Sequence, residues 1–357
     1  MKPTLKQIAE RTGYSISTIS RSLADSPSIS KRTREDVQRA ASDLGYRPAV
    51  KKKPQRKKKK KLHFALLSDF RIGEFYASLF CGYRDASYKE DVRISLLSVK
   101  DQREECVRFI QQVHRENNYD GFILFFPALE RDHYEEILNV LPKGYPIVSN
   151  ALIDNPNVAT VTFDSYSGGH LAASHLHEKG FTRLGIIDGP VNRPESRFRS
   201  NGFLDYIHQQ PGLELSWRIS GDYDFESGVK AFREFDQHFE KRVFPADAIF
   251  ATNDSMAIGF LESARSSGVH IPGDIAILGY DNLPSVLHRS PELSSIDTDF
   301  IELGISSIKA LKNKIRKQGY KHGTLSLVPV QLIERASTGF IRKSDLHKHR
   351  EMVRGES

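Results

Sequence analysis

Cysteine and tryptophan are scarce in this 357-residue chain, which holds two of the first and one of the second. Two cysteines cannot build a disulfide scaffold, and no CxxC pair occurs, which excludes zinc-ribbon and dithiol redox chemistry. Cys81 and Cys106 are expected to be reduced, half-buried helix residues. No apolar run approaches the roughly 18 residues that cross a bilayer. The opening Met1-Lys2-Pro3-Thr4-Leu5-Lys6 lacks the apolar core of an export signal. A cytoplasmic protein with no membrane partner is therefore expected. Nucleotide-binding and hydrolase signatures are also missing: no GxGxxG behind a strand, no GxxxxGK[ST], no HExxH and no GxSxG. His175 and His177 stand two apart in a predicted helix, where they cannot share a face. Neither an enzyme, nor a cofactor, nor a metal site is expected.

What is present is a lopsided charge. Residues 1–61 carry 18 Lys and Arg against 5 Asp and Glu, whereas the remainder carries 34 against 40. A basic module joined to an acidic body is the footprint of a nucleic-acid binder with a second task. At about 100–200 residues per domain, the length allows two or three domains.

The first 48 residues read as three short helices. Thr4 and Gln7 have capping-box spacing, and Leu5, Ile8 and Ala9 form one apolar face. Gly13 ends that helix. Ser15 caps a second, Ile16 to Leu23, and Ser30 a third, whose Val37, Ala40, Ala41 and Leu44 line a stripe up to Gly45. Helix, glycine turn, helix is the helix-turn-helix pattern. Its second helix sets Ser17, Thr18, Arg21 and Ser22 opposite Ile19 and Leu23: short donors and an arginine fork, suited to phosphates and base edges. A plain helical bundle with a wet face is the alternative, and the adjoining charge run weighs against it.

The run Thr4-Leu5-Lys6-Gln7-Ile8-Ala9, followed by Gly13-Tyr14-Ser15-Ile16-Ser17-Thr18-Ile19-Ser20-Arg21, resembles the lactose-repressor (LacI/GalR) family of bacterial transcription regulators. Arg32-Thr33-Arg34 and Leu44-Gly45-Tyr46-Arg47-Pro48 extend the likeness. The resemblance implies that Ile16, Ser17 and Arg21 face the major groove. Thr4, Ser15, Thr18 and Ser20 then lie where backbone contacts are made. Periodicity alone would bury Ile16, but an apolar side chain can also read a thymine methyl. Tyr46, Lys51, Lys52 and Lys53 complete the expected DNA-contacting set.

Residues 49–61 read as a basic linker. Nine of the eleven residues 51–61 are cationic, which predicts disorder in the free chain and phosphate tracking on DNA. A solvated spacer is the alternative. The family places a leucine-bearing hinge helix here. Ala49, Val50 and Pro54 depart from it, and a proline breaks such a helix.

Residues 62–340 alternate apolar strands and helices in two series. The first has strands at 62–67, 93–98, 121–126 and 146–149. The second has strands at 159–163, 183–187, 216–219, 248–251 and 275–279. The fold class expected is an α/β body of two doubly wound parallel-sheet subdomains behind an all-α helix-turn-helix domain. Ligands of such sheets bind beyond the carboxyl ends of the strands. The body also resembles the family and the related periplasmic sugar-binding proteins, through Gly221-Asp222-Tyr223, Thr252-Asn253-Asp254, Ile271-Pro272-Gly273-Asp274 and Gly279-Tyr280-Asp281-Asn282, with Phe203 behind Arg197.

Six effector contacts are expected in the cleft. Arg197 offers a rigid donor fork, Asp281 an acceptor pair for vicinal hydroxyls, and Asn253 both functions. Tyr223 offers an aromatic face, Phe75 an apolar one, and Ser167 a hydroxyl. Arg197 with Asp281 could equally be a structural ion pair, Asn253 a helix cap, Tyr223 a core aromatic and Asp164 only a cap. A polar basic tail, 341–357, carries no heptad repeat. The chain thus reads as a homodimeric, ligand-responsive repressor of a pseudo-palindromic operator, its effector a sugar or derivative acting as inducer or corepressor. A solute-binding protein without a transcriptional role is the alternative.

Overall fold

A computed structural model describes residues 3–46, 61–99, 103–153, 155–237, 244–316 and 323–339. It divides the chain into two units, Met1–Lys60 and Lys61–Ser357. Lys51, Lys52, Lys53, Pro54 and the tail 341–357 lie outside the described residues.

The first unit is α1 (Leu5–Thr12), α2 (Ile16–Leu23) and α3 (Lys31–Asp43). Thr4 and Gln7 form the reciprocal capping box, with Thr4 N donating to Gln7 Oε1 at 2.9 Å and Gln7 N to Thr4 Oγ1 at 3.4 Å. Gly13 takes φ +72°, the left-handed turn into α2. Ile8, Ile19, Val37, Ala40 and Ala41 make the core. Tyr46 packs against that core, its N–H closing α3 on Ala41 O at 2.8 Å.

Ser22 departs from expectation. It shares the inward face with Ile19, three residues before it, and is fully buried with no hydrogen-bond partner for its Oγ. Ser22→Ala is expected to stabilise this unit by about 1 kcal/mol, because it removes an unpaired buried hydroxyl and improves helix propensity. Thermal unfolding of the full chain checks it; a loss of stability would show that the hydroxyl is bonded in solution.

The second unit begins with β1 (His63–Ser68), α4 (Glu74–Lys89), β2 (Arg93–Ser98), α5 (Arg103–Glu116), β3 (Gly121–Phe125), α6 (Arg131–Val140), β4 (Ile147–Ser149) and β5 (Ala159–Phe163). There follow α7 (Ser165–Glu178), β6 (Arg183–Asp188), α8 (Pro194–Gln209), β7 (Glu214–Ser220), α9 (Phe225–Gln237), β8 (Ala248–Ala251), α10 (Asp254–Ser266) and β9 (Ala276–Asp281). The last elements are β10 (Ser294–Thr298), α11 (Phe300–Arg316), β11 (Thr324–Val328) and β12 (Val330–Ile333).

Two six-stranded sheets result, ordered β11-β5-β4-β3-β1-β2 and β12-β10-β9-β8-β6-β7. All pairings are parallel except β10 with β12. Strand β5 therefore belongs to the first sheet, although its place in the series groups it with the second. The chain passes between lobes after β5, after β10 and after β11, so neither lobe is one continuous segment. A strand's own pattern records that both faces are buried, not which neighbour buries them.

Helices cover both faces of each sheet. Helices α7 and α8 cross on small residues: a Cβ on Gly169 would sit 1.9 Å from Arg199 O, and one on Gly202 2.0 Å from Tyr166 O. Cys81 is exposed on α4 and Cys106 buried on α5, so neither is half-buried. The two residues point to opposite sides of helices with one covered face.

Candidate functional site

Helix α2 presents its polar face to solvent. Ser15, Ser17, Ser20 and Arg21 are exposed. Ile16 is 51% exposed, which departs from the core position that periodicity alone would assign. It is the first helical residue, one position after the cap, where the chain has not yet turned onto the core. Ser15 accepts from Thr18 N at 3.2 Å, and its Oγ lies 2.8 Å from Ser17 Oγ and 2.9 Å from Thr18 Oγ1. These hydroxyls form a pre-set cluster at a helix N-terminus, a suitable cradle for a phosphate. Thr4 is occupied by its own capping box, and Tyr46 is half-buried.

In the second unit a cleft of about 400 Å³ opens between the lobes, bounded by the carboxyl ends of β3, β8 and β9. One wall is apolar. Phe75, at the start of α4, stacks on Phe125 at 5.7 Å and meets Phe300 edge-on at 5.4 Å. Glu74 begins the same helix, and its Oε2 accepts from Ser285 N of the opposite lobe at 3.1 Å.

The other wall is polar and centres on Arg199. Its Nη2 lies 3.2 Å from Asp281 Oδ1, its Nη1 donates to Thr252 O at 2.6 Å, and its guanidinium lies 3.7 Å from the Tyr280 ring centre. Both ion-pair partners are buried. Burial pushes the Asp281 carboxyl up to about 6, with Arg199 pulling the other way. Desolvation thus outweighs the ion pair at the acid. Burial also raises Glu195, and lifts Asp254 well above the carboxylate range with Asp281 adding to it. Asp254 is held by Ser295 Oγ at 2.6 Å and Leu283 N at 2.8 Å.

Asn253 caps α10, accepting from Met256 N at 3.0 Å, and donates to Tyr223 O at 2.8 Å. Both ends of its amide are thereby used. What Asn253 does for the cleft is fix Tyr223, which sits in the left-handed region at φ +65°. Gly189 makes room for that ring, since a Cβ there would lie 2.3 Å from it. Asp281 itself is at φ +106°.

Phe75, Tyr223, Asn253 and Asp281 therefore line one cleft. Arg197 does not: it is exposed on α8 and is not part of the cleft lining, where Arg199 stands instead. Residue 199 lies one helical turn before the buried Phe203, which the sequence could have signalled; residue 197 is turned by about 200° from 199. Ser167 lies in the first turn of α7, donating to Asp164 Oδ2 at 2.7 Å, and is likewise outside the lining, which holds Ser165. Asp164 is the cap of α7. Glu74, Glu195 and Asn150 line the cleft and carry no sequence motif. His175 and His177 diverge, to Thr338 Oγ1 at 2.8 Å and Tyr206 Oη at 3.1 Å. Among the described residues no cluster of three or more metal-type ligands forms, and no helix is long and apolar enough to cross a membrane.

Residues 4–49 match the family profile of bacterial regulatory proteins, lacI family, and residues 173–338 match that of the periplasmic binding protein-like domain. The ribose operon repressor of Escherichia coli (strain K12) is 25% identical over 341 residues, covering 94% of this chain and 99% of that one. Among solved structures, the transcriptional regulator CelR–cellobiose complex is similar at 26% identity and TM-score 0.66, covering 94% and 100% of the two chains. The lac repressor dimer bound to operator and the anti-inducer ONPF shares the fold at TM-score 0.68 and 22% identity, over 95% and 99%. With the two profiles standing in that order along the chain, and likeness to a relative running nearly from end to end, the chain belongs to the lacI family of bacterial regulatory proteins.

Proposed function

We propose that this protein is a ligand-gated transcriptional repressor: a homodimer that binds a pseudo-palindromic operator through α2 and a sugar or sugar derivative through the interlobe cleft. The observation that carries this reading is the cleft wall itself, a buried Arg199–Asp281 pair beside a strained, glycine-seated Tyr223. Such a buried, pre-shaped polar cluster between two lobes is costly to maintain for stability alone. The exposed Ile16, Ser17 and Arg21 supply the DNA-reading half. The printed names of the relatives, a ribose operon repressor and a cellobiose-bound regulator, agree with a carbohydrate effector.

Ligand that favours one arrangement of the lobes alters operator affinity, and operator alters ligand affinity by the same factor, typically about 1–3 kcal/mol. Gel-shift with genomic fragments, with and without carbohydrates, tests the whole scheme; binding without sequence preference would sink it. Arg21→Ala is expected to cost roughly 1–3 kcal/mol at one operator base pair with little change elsewhere. A uniform loss on all sequences would instead mark Arg21 as a phosphate contact.

A further inference from the structure

The cleft wall is unequal in charge and in hydrogen-bonding capacity. Five carboxylates and three arginines line the cleft. Two of the arginines are already engaged: Arg199 by Asp281, and Arg71 by Asp69 at 2.7 Å. On the acid side, Glu195 is the outlier. It sits in the first turn of α8, yet its Oε2 is shut off from solvent and accepts no hydrogen bond. The backbone contact of this carboxylate is with its own N–H, which leaves Oε2 over. Asp281 Oδ1 has only its 3.2 Å ion contact with Arg199, and Arg199 Nε has no acceptor. The side chain of Asp222, on the same wall, is exposed. Tyr223 Oη is buried without a hydrogen-bond partner too, so the wall leaves two carboxylate acceptors, one arginine donor and one hydroxyl unsatisfied. A ligand that completes it must both donate and accept, as hydroxyls do, and bring no negative charge to the two carboxylates.

We infer that the cleft takes an unphosphorylated, hydroxyl-rich sugar and rejects its phosphate esters, with Glu195 as the residue that enforces the choice. The inference rests on the sugar reading of the cleft given above. Two sugar hydroxyls, one donating to Glu195 Oε2 and the other to Asp281 Oδ1, with one of them accepting from Arg199 Nε, would satisfy all three buried atoms. A phosphate carries oxygens that only accept, together with charge, and it would face the buried carboxylates of Glu195 and Asp281. The raised Glu195 carboxyl fits the same picture, since burial there is opposed only in part by its own backbone N–H and by Arg199, Arg193 and Arg197.

The test is a set of thermal-shift titrations on the full-length protein. The probes are ribose, glucose, galactose and cellobiose, each monosaccharide paired with its 5- or 6-phosphate, and glucosamine as the cationic arm. Any responding sugar is expected to bind at least about 100-fold more tightly than its phosphate, the size of a buried like-charge clash. In Glu195→Gln, which keeps the side-chain shape, that ratio should fall below about tenfold. A preference for glucosamine over glucose would support the acidic wall with a cationic ligand. A phosphate ester that stabilises the wild type as well as its parent sugar overturns the inference and leaves the sugar reading intact. An unchanged ratio in Glu195→Gln overturns the role of Glu195. Silence to every probe, phosphorylated or not, refutes the sugar reading itself and this inference with it.

Discussion

Arg199→Met is expected to destabilise the second unit by about 3–5 kcal/mol at pH 8, because it leaves the buried Asp281 without its counter-charge. Ligand response should disappear at the same time, since the guanidinium is the donor at the centre of the cleft wall. The loss should depend on pH in a definite sense. Asp281 titrates near 6 in the folded protein, above its ordinary 3.8. The folded state therefore holds a proton that the unfolded chain releases, and this group's contribution to stability is present below pH 4 and lost as pH rises through about 6. Removing Arg199 lifts the folded value further. The gap between variant and wild type should thus shrink on acidification, by about 1.4 kcal/mol for each unit that the acid climbs. Urea unfolding at pH 8 and pH 5 measures both quantities. The double variant Arg199→Met/Asp281→Asn should recover much of the loss, because a neutral pair needs no counter-ion. A penalty in the single variant that is independent of pH would show that Arg199 acts by packing, through its stack on Tyr280.

Gly169→Ala is the second large effect. The new Cβ would lie 1.9 Å from Arg199 O and 2.9 Å from Phe203 N. Backbone cannot yield as a side chain can, so α7 and α8 must move apart. Overpacking of this kind costs about 1–3 kcal/mol or more, and a value at or above the top of that range is expected because the facing Gly202 shows the same close approach, 2.0 Å from Tyr166 O. Ligand binding should weaken together with stability, since the moving backbone carries Arg199. Gly273→Ala is the control. Its nearest neighbour would be His270 Cβ at 3.5 Å, an ordinary contact, and a change within about 0.5 kcal/mol is expected. Wild-type stability in Gly169→Ala, measured by chemical denaturation, would mean that the two helices are not held at that crossing.

The sequence by itself determined the local structure and the kind of molecule. The caps Thr4, Ser15 and Ser30, the left-handed Gly13 and Gly45, and the apolar faces of α1 and α3 are short-range features, settled by backbone hydrogen bonding and side-chain periodicity within a few residues. The alternating runs of the body are legible for the same reason. Asp281, Asn253, Tyr223 and Phe75 could be placed at the cleft because they follow strand ends or open helices that the pattern marks. Only the tertiary structure decided the rest. It put β5 in the first sheet, carried α11 and β11 back to the first lobe after β10 and returned β12 to the second, because the neighbour that buries a strand is distant in sequence. It buried Ser22, exposed Ile16 and chose Arg199 over Arg197, since two residues along a helix are separated by about 200° and a small error in phase exchanges inside for outside. It also brought Glu74 and Glu195 to the cleft, residues that stand in no motif: a carboxylate's role there depends on which charges surround it after three chain crossings, and no spacing along the chain records that.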